Sequence, residues 1–326
     1  MAPTVSVLLP LYNCTAYVAE AIESILGQTY RDFELIVIDD GSTDETPRIA
    51  QRFRDPRLRF YSQKNCGLAA TLNRSIELAE GRYLARQDQD DISRPQRLLR
   101  QVALLDANPQ CALVGTWAEI WKDRQPTGRA HRHPSDNATL KYELLLDNPF
   151  VHSSVMLRKE ALDAVGGYST DQNRQPPEDY ELWSRIARKY QVANVPEALH
   201  VYREVAGSMS RAGNSPFVEH LVTICAENIA WAAGTEPSNP HVVNIAALAH
   251  SAVGRIQGRP DFSAMRVIFS RAAARVSGPQ GEKFARMAEA RIDALRAGHR
   301  EPGFGNRWRG RLLRVVRGAS RIMMRS

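Results

Sequence analysis

The stretch YLARQDQDDISRP (residues 83–95) sets three carboxylates, Asp88, Asp90 and Asp91, directly behind a short apolar run. A run of that length reads as a buried strand, which leaves the acids at its carboxyl end. The same pattern precedes it three times. VSVLL (5–9), FELIVIDD (33–40) and LRFYS (58–62) read as strands. AYVAEAIESILGQ (16–28), DETPRIAQRF (44–53) and LAATLNRSIELA (68–79) carry apolar residues at helical spacing. Downstream, PQRLLRQVALLDAN (95–108) reads as a helix and CALVGTWAEI (111–120) as a strand. Strands alternating with helices of about 10–14 residues imply βαβ units and an α/β fold with a mostly parallel sheet, helices covering both faces.

In an open α/β sheet, ligands sit outside the carboxyl ends of the strands. Right-handed crossovers bring those ends to one edge. The groups expected to converge there are PLYN after the first strand, Asp39, Asp40 and Gly41 after the second, QKNCGL after the third, and Asp88-Gln89-Asp90-Asp91 after the fourth. The first loop, PLYNCT, has no GxGxxG, and the chain has no GxxxxGK[ST], which argues against a dinucleotide fold and a P-loop enzyme. Clustered carboxylates suit a hard divalent cation, Mg²⁺ or Mn²⁺. Such an ion would neutralise a diphosphate. Taken alone, the acids would serve equally well as a solvated turn capping the next helix.

The bulk composition narrows the class further. The four cysteines, Cys14, Cys66, Cys111 and Cys225, form no CxxC pair, against a zinc site or a disulfide framework. The start, MAPTVSVLLPLYN, has no basic segment ahead of its apolar run and reads as a strand rather than a signal peptide. No apolar run is long enough to span a bilayer. The expected location is therefore cytoplasmic. The net charge of +7 is matched by the seven arginines of residues 302–326, a segment without an acid. The high pI describes this tail and not a basic groove, so no nucleic-acid partner is expected. In the tail, Trp308, Leu312, Val315, Ala319, Ile322 and Met323 fall at helical spacing among the arginines. A helix over 307–326 would be apolar on one side and cationic on the other, suited to an anionic membrane surface.

Between about 123 and 211 the sequence is irregular, and from about 214 it turns Ala-rich and helical, with turns at GTEPSNP (234–240) and GRPD (258–261). The expected division is 1–212 and 213–326.

Together, VSVLLPLYN, SILGQTYRDFELIVIDDGSTDET, NCGLAATLNRSIELAEGRYLARQDQDDISRPQRL, GGY and PPEDYELWSRIA resemble the family-2 nucleotide-sugar glycosyltransferases over residues 4–211. The resemblance implies a GT-A fold, a nucleotide-diphosphate sugar donor, a divalent metal at a D-x-D motif and inversion at the anomeric carbon. Carried over, it implies that Pro10 and Tyr12 line the nucleobase pocket and that Asp39 binds base or ribose. Asp90 would hold the metal, Asp88 the metal and ribose, and Asp179 of Glu178-Asp179 would be the general base. Arg86 would pair with the acids or the diphosphate. His152, Glu178 and Arg203 are candidates for acceptor or diphosphate contacts. The Gln-x-x-Arg-Trp motif of the processive synthases is missing. This points to a non-processive enzyme adding one sugar to a glycan or lipid-linked acceptor, in cell-surface glycan or polysaccharide synthesis.

Pro176-Pro177 ahead of Glu178 places Asp179 in the first turn of a helix over 178–190, where the helix dipole is expected to hold it ionised at the expense of basicity. Two other readings stay open on the sequence. A nucleotidyltransferase also combines an α/β sheet with metal-binding acids, although PLYNCT lacks the usual basic loop. A non-catalytic sugar-nucleotide-binding protein would need neither Asp90 nor Asp179.

Overall fold

The first apolar run forms β1 (Val5–Leu11), with every residue buried. The same holds for β2 (Phe33–Asp39) and the short β4 (Tyr83–Arg86). Strands covered on both faces have no polar alternation, so they read as continuous apolar runs. β3 (Leu58–Ser62) lies at the sheet edge and is only half-buried. Between these strands run α1 (Val18–Leu26), α2 (Thr46–Ala50) and α3 (Leu68–Leu78). The computed structural model describes residues 2–205 and 216–299.

After β4 come β5 (Ile92–Ser93), α4 (Arg97–Ala107), β6 (Cys111–Lys122), β7 (Gln125–His131) and α5 (Asn137–Glu143). They are followed by β8 (Met156–Arg158), α6 (Lys159–Val165), α7 (Glu178–Lys189) and β9 (Gln191–Glu204). The nine strands of the described residues form one sheet in the order β3-β2-β1-β4-β8-β6-β9-β5, with β7 paired to β6. β3, β2, β1 and β4 run parallel, as the alternation predicts. β8 is antiparallel to both β4 and β6, and β6 is parallel to β9. The stretch that reads as irregular therefore supplies β7, β8 and β9 of the mixed half of the sheet. β8 escapes a pattern search because it is only three residues long, as does β5, upstream of that stretch, at two. The β6–β9 pairing also breaks register near Thr116 and Trp117, and side-chain alternation is lost at each break.

Register sets the geometry of the edge. Leu11 lies beside Asp39, Asp39 beside Ser62, and Leu8 beside Arg86. The loops that follow these strands thus leave from one side of the sheet.

The chain divides into two compact units, one from 1–140 with 148–213 and one from 141–147 with 214–326. In the second, α10 (Phe262–Val276) packs on α8 (Phe217–Ala233), α9 (Pro240–Ala249) and α11 (Gly281–His299). The Tyr142 ring lies 6.1 Å from Phe269 and 5.2 Å from Phe284. Gly234, at φ +68°, ends α8 in the left-handed conformation that favours glycine. Asn239 and Asp261 cap α9 and α10 through side-chain oxygens. Residues 307–326 lie outside the described residues. Among those described, no helix is long and apolar enough to cross a membrane.

Candidate active site

The acid loop leaves β4 at the shared sheet edge. Gln89, between the two acids of the D-x-D motif, reaches back to the loop after β1. Its Oε1 accepts the Tyr12 N–H at 2.7 Å and its Nε2 donates to the Tyr12 carbonyl at 3.0 Å. Pro10 is buried within β1, whereas Tyr12 is 47% exposed just beyond it.

Asp39 and Asp40 divide the work at the end of β2. Asp40 accepts Gln63 Nε2 at 2.7 Å, the Cys66 N–H at 3.0 Å and the Gly67 N–H at 2.9 Å. These bonds hold its carboxyl below the usual range despite burial and brace the loop after β3. Asp39 makes two long bonds, from the Ser42 N–H and Ser62 Oγ, both 3.3 Å. A carboxylate offers about four lone-pair sites, so Asp39 is the member of the pair with capacity for a ligand.

The three acids after β4 also separate. Asp88 Oδ1 accepts Arg86 Nη2 at 2.6 Å. Arg86 is buried, and among the described residues its Nε has no hydrogen-bond partner. Asp90 is pushed up to about 8 by burial and by the charges of Asp91 and Asp88. Asp91 turns inward. Its Oδ1 accepts the Arg203 N–H at 2.8 Å, and its Oδ2 takes the Ser153 hydroxyl and lies 3.0 Å from His200 Nε2. Burial and Asp88 raise it to about 7. It anchors the turn from below and is not part of the open face. Its partners lie in a loop and in β9, distant in sequence, so no local signal distinguishes it from Asp88 and Asp90.

Beneath the same loop, Arg97 is fully buried. It donates to Gln87 Oε1, Ser93 Oγ and Gln101 Oε1, and to the carbonyls of Arg86 and Val155. Gln101 passes the network on to the carbonyls of Val114 and Ser154. Residues that look like an ordinary helix face thus fix the end of β4.

Glu178 and Asp179 open α7, as the sequence predicts. The expected electrostatics do not hold. Burial, and then the neighbouring Glu178, push Asp179 up to about 7, outweighing the helix terminus. Its Oδ2 accepts Asn148 Nδ2 at 2.7 Å, a contact that sequence reasoning misses. The charges of this acid pair and of the D-x-D loop both reach Tyr168. Its phenol is raised by burial and by the charges of Asp179, Glu178 and Asp88, while Arg86 opposes them. His152 Nε2 lies 3.1 Å from the Tyr168 hydroxyl, its ring 5.9 Å from Trp183. Burial and Arg86 keep this imidazole neutral. Arg86, Asp88, Glu178, Asp179, Tyr168 and His152 therefore share one electrostatic environment.

Arg203, near the end of β9, is held by Glu20 at 2.9 Å and lies 4.3 Å over the Tyr17 ring. Among the described residues its Nε and Nη1 are buried without partners.

The donor set can be tested against a divalent ion. Among the described residues, no three His, Cys, Asp or Glu side chains gather as a metal-binding group. An Mg²⁺-type ion usually takes only one or two carboxylates, with substrate phosphate and water completing its shell. Asp88 and Asp90 supply that number, both hard oxygen donors. Asp90 is raised by two neighbouring acids and has no salt-bridge partner among the described residues, so a cation would relieve a real repulsion. The residues fit.

A profile of the family described as "Glycosyl transferase family 2" matches residues 6–166. The putative glycosyltransferase EpsE of Bacillus subtilis is 35% identical over 68% of this chain and 81% of its own length. The amylovoran biosynthesis glycosyltransferase AmsE of Erwinia amylovora is 33% identical over 62% of this chain and 76% of its own. Among solved structures, S. aureus TarS 1-349 in complex with UDP-GlcNAc superposes with a TM-score of 0.62 at 18% identity, covering 92% of each chain. The mixed sheet with its flanking helices is thus the GT-A architecture expected from the motifs, and a helical region accompanies it as expected.

Proposed function

Because this chain belongs to glycosyl transferase family 2, we propose that it moves one sugar, with inversion, from a nucleotide-diphosphate sugar to an acceptor hydroxyl. The observation that carries this reading is the placement of Asp179, a buried acid of raised proton affinity, in the same electrostatic environment as the D-x-D loop.

Inversion by a single displacement needs the acceptor oxygen to attack opposite the leaving nucleoside diphosphate, through an oxocarbenium-like transition state. Asp179 takes the acceptor proton, and a positioned base of this kind contributes ~10²–10⁴-fold. A raised proton affinity makes Asp179 a better base than an exposed aspartate. At neutral pH a large share of it is still ionised.

The donor lies along the sheet edge. Tyr12 and Pro10 frame the nucleobase side and Asp39 takes a base or ribose hydroxyl. Asp88 and Asp90 would hold the divalent ion, which supplies Lewis-acid stabilisation of the departing diphosphate. Arg86 balances the charge of Asp88 and Glu178. The buried N–H groups of Arg86 and Arg203 that lack partners among the described residues support a role facing diphosphate oxygens. His152, held neutral against Tyr168, stands on the side of Asp179 and is assigned to shaping the acceptor position. The relative AmsE supports placing the reaction in polysaccharide synthesis, and the acceptor is read as a glycan or lipid-linked hydroxyl. The arginine-rich pattern of residues 307–326 supports peripheral attachment to the inner face of the cell membrane.

The test is a screen of UDP-, GDP- and dTDP-sugars, UDP-GlcNAc first, with Mn²⁺ present. Donor protection by thermal shift is followed by nucleoside diphosphate release and assignment of the product anomer. A product of inverted configuration is expected. Release of pyrophosphate, or retention of configuration, would refute the reading.

A further inference from the structure

We infer that Asn148 is a positioning residue for the base, its side-chain amide holding the Asp179 carboxylate in place through a hydrogen bond that only the nitrogen end of the amide can make. The inference rests on the reading of Asp179 as the base and adds a residue that no motif identifies.

The direction of the amide is set by a second bond. Asn148 Oδ1 accepts the Phe150 N–H at 3.1 Å. This bond fixes which end of the amide faces which way, because a backbone N–H cannot be satisfied by an NH₂ group. The nitrogen is therefore the end that meets Asp179 Oδ2, at 2.7 Å. The other carboxylate oxygen, Oδ1, is engaged by the Tyr180 N–H at 2.7 Å. Asp179 is thus gripped on one oxygen by its own helix terminus and on the other by the loop before Phe150. A carboxylate held at two points cannot rotate about χ2, and fixed orientation is what a base requires.

The surroundings make the grip consequential. Glu178 precedes Asp179 on the same helix, and the Tyr168 hydroxyl, from the loop before α7, also senses the Asp179 charge. Neither is a cation, so among the described residues Asn148 is the side chain that favours the ionised, proton-accepting form by donation. Donation to a charged acceptor is worth about 1.5–3 kcal/mol, equivalent to about 10–100-fold.

The experiment uses the full chain and follows hydrolysis of the sugar nucleotide with water as acceptor. UDP-GlcNAc, or the UDP- or GDP-sugar turned over fastest in the screen, serves as the probe. Asn148→Ala removes both bonds. Asn148→Asp keeps an acceptor for the Phe150 N–H and removes only the donor. Both variants are expected to lose about 10–100-fold in kcat, with KM for the donor within about twofold, and to move the acidic limb of the pH–kcat profile upward. Asn148→Asp should move it further, because two facing carboxyls share one proton. Melting temperature and UDP binding serve as controls for folding.

If Asp179→Asn abolishes turnover while both Asn148 variants keep the wild-type kcat and pH profile, Asn148 has no positioning role and Asp179 stands. If Asp179→Asn retains turnover, the base assignment itself fails and Asn148 falls with it. Loss of UDP binding in Asn148→Asp together with its kcat would mark the residue as structural and overturn the inference.

Discussion

The side-chain amide of Gln89 completes both backbone hydrogen bonds of Tyr12, taking its N–H at 2.7 Å and giving to its carbonyl at 3.0 Å. The residue between the two candidate metal ligands thus stands in for a neighbouring strand at the end of β1. It ties the loop after β1 to the loop after β4. Binding at either loop then depends on the other being in place.

Gln89→Ala should therefore raise the Kd for UDP by about tenfold, the worth of one or two net hydrogen bonds at the exposed edge, while Mn²⁺ still binds. Gln89→Glu keeps the acceptor and replaces the donor with a charge facing the Tyr12 carbonyl, so it should be worse than Gln89→Ala. Calorimetry with UDP and Mn²⁺ checks both. A Gln89→Ala protein with unchanged UDP affinity would mean the two loops are held independently.

Asp90→Asn and Asp179→Asn should fail in different ways. The first removes a hard anionic ligand and weakens Mn²⁺-dependent UDP binding. The second leaves UDP binding near wild type and lowers kcat by ~10²–10⁴-fold, because a base acts only in the transition state. UDP titration with Mn²⁺, followed by turnover assays, separates the two. Equal loss of UDP affinity in both would contradict the division of roles.

The pH dependence of turnover follows from Asp179. Burial and Glu178 place it at about 7, and only the ionised form accepts a proton. As pH falls through about 7, kcat should fall with a slope of one proton. An ordinary exposed aspartate would keep full activity down to about pH 5. A flat pH–kcat profile between about pH 5 and about pH 8 would exclude Asp179 as the titrating base.

The same acids make the metal-free protein pH-sensitive in stability. Asp90 near 8, and Asp91 and Asp179 near 7, are all raised above the ordinary value of 3.8. The folded state therefore binds more protons than the unfolded chain between about pH 4 and about pH 8, and stability falls as pH rises through that window. The melting temperature of chelator-treated protein should be higher at about pH 6 than at about pH 8. Mn²⁺ in excess of its Kd should stabilise the folded state at the higher pH, by about 2.7 kcal/mol at a hundredfold excess. No gain on adding Mn²⁺ would show that Asp88 and Asp90 bind no ion without the nucleotide.

The sequence by itself determined the alternating β/α order, the sheet edge where the loops meet, the D-x-D acids, and the acid pair at the start of α7. Each is a local property. Burial on both faces gives an unbroken apolar run, a helix shows its period within a few turns, and a strand end is where such a run stops. Tertiary structure decided what each acid does. Asp91 sits one residue from Asp90, yet it faces His200, Ser153 and the Arg203 backbone in the interior. Asp179 lies at a helix start, yet burial outweighs the dipole, and Asn148, 31 residues earlier, grips it. Gln89 finds Tyr12 across 77 residues. Hydrogen-bond partners and the loss of water around a carboxyl depend on chain segments brought together from far apart. No periodicity or spacing records them, so the chemistry of these acids is set only when the sheet has closed around them.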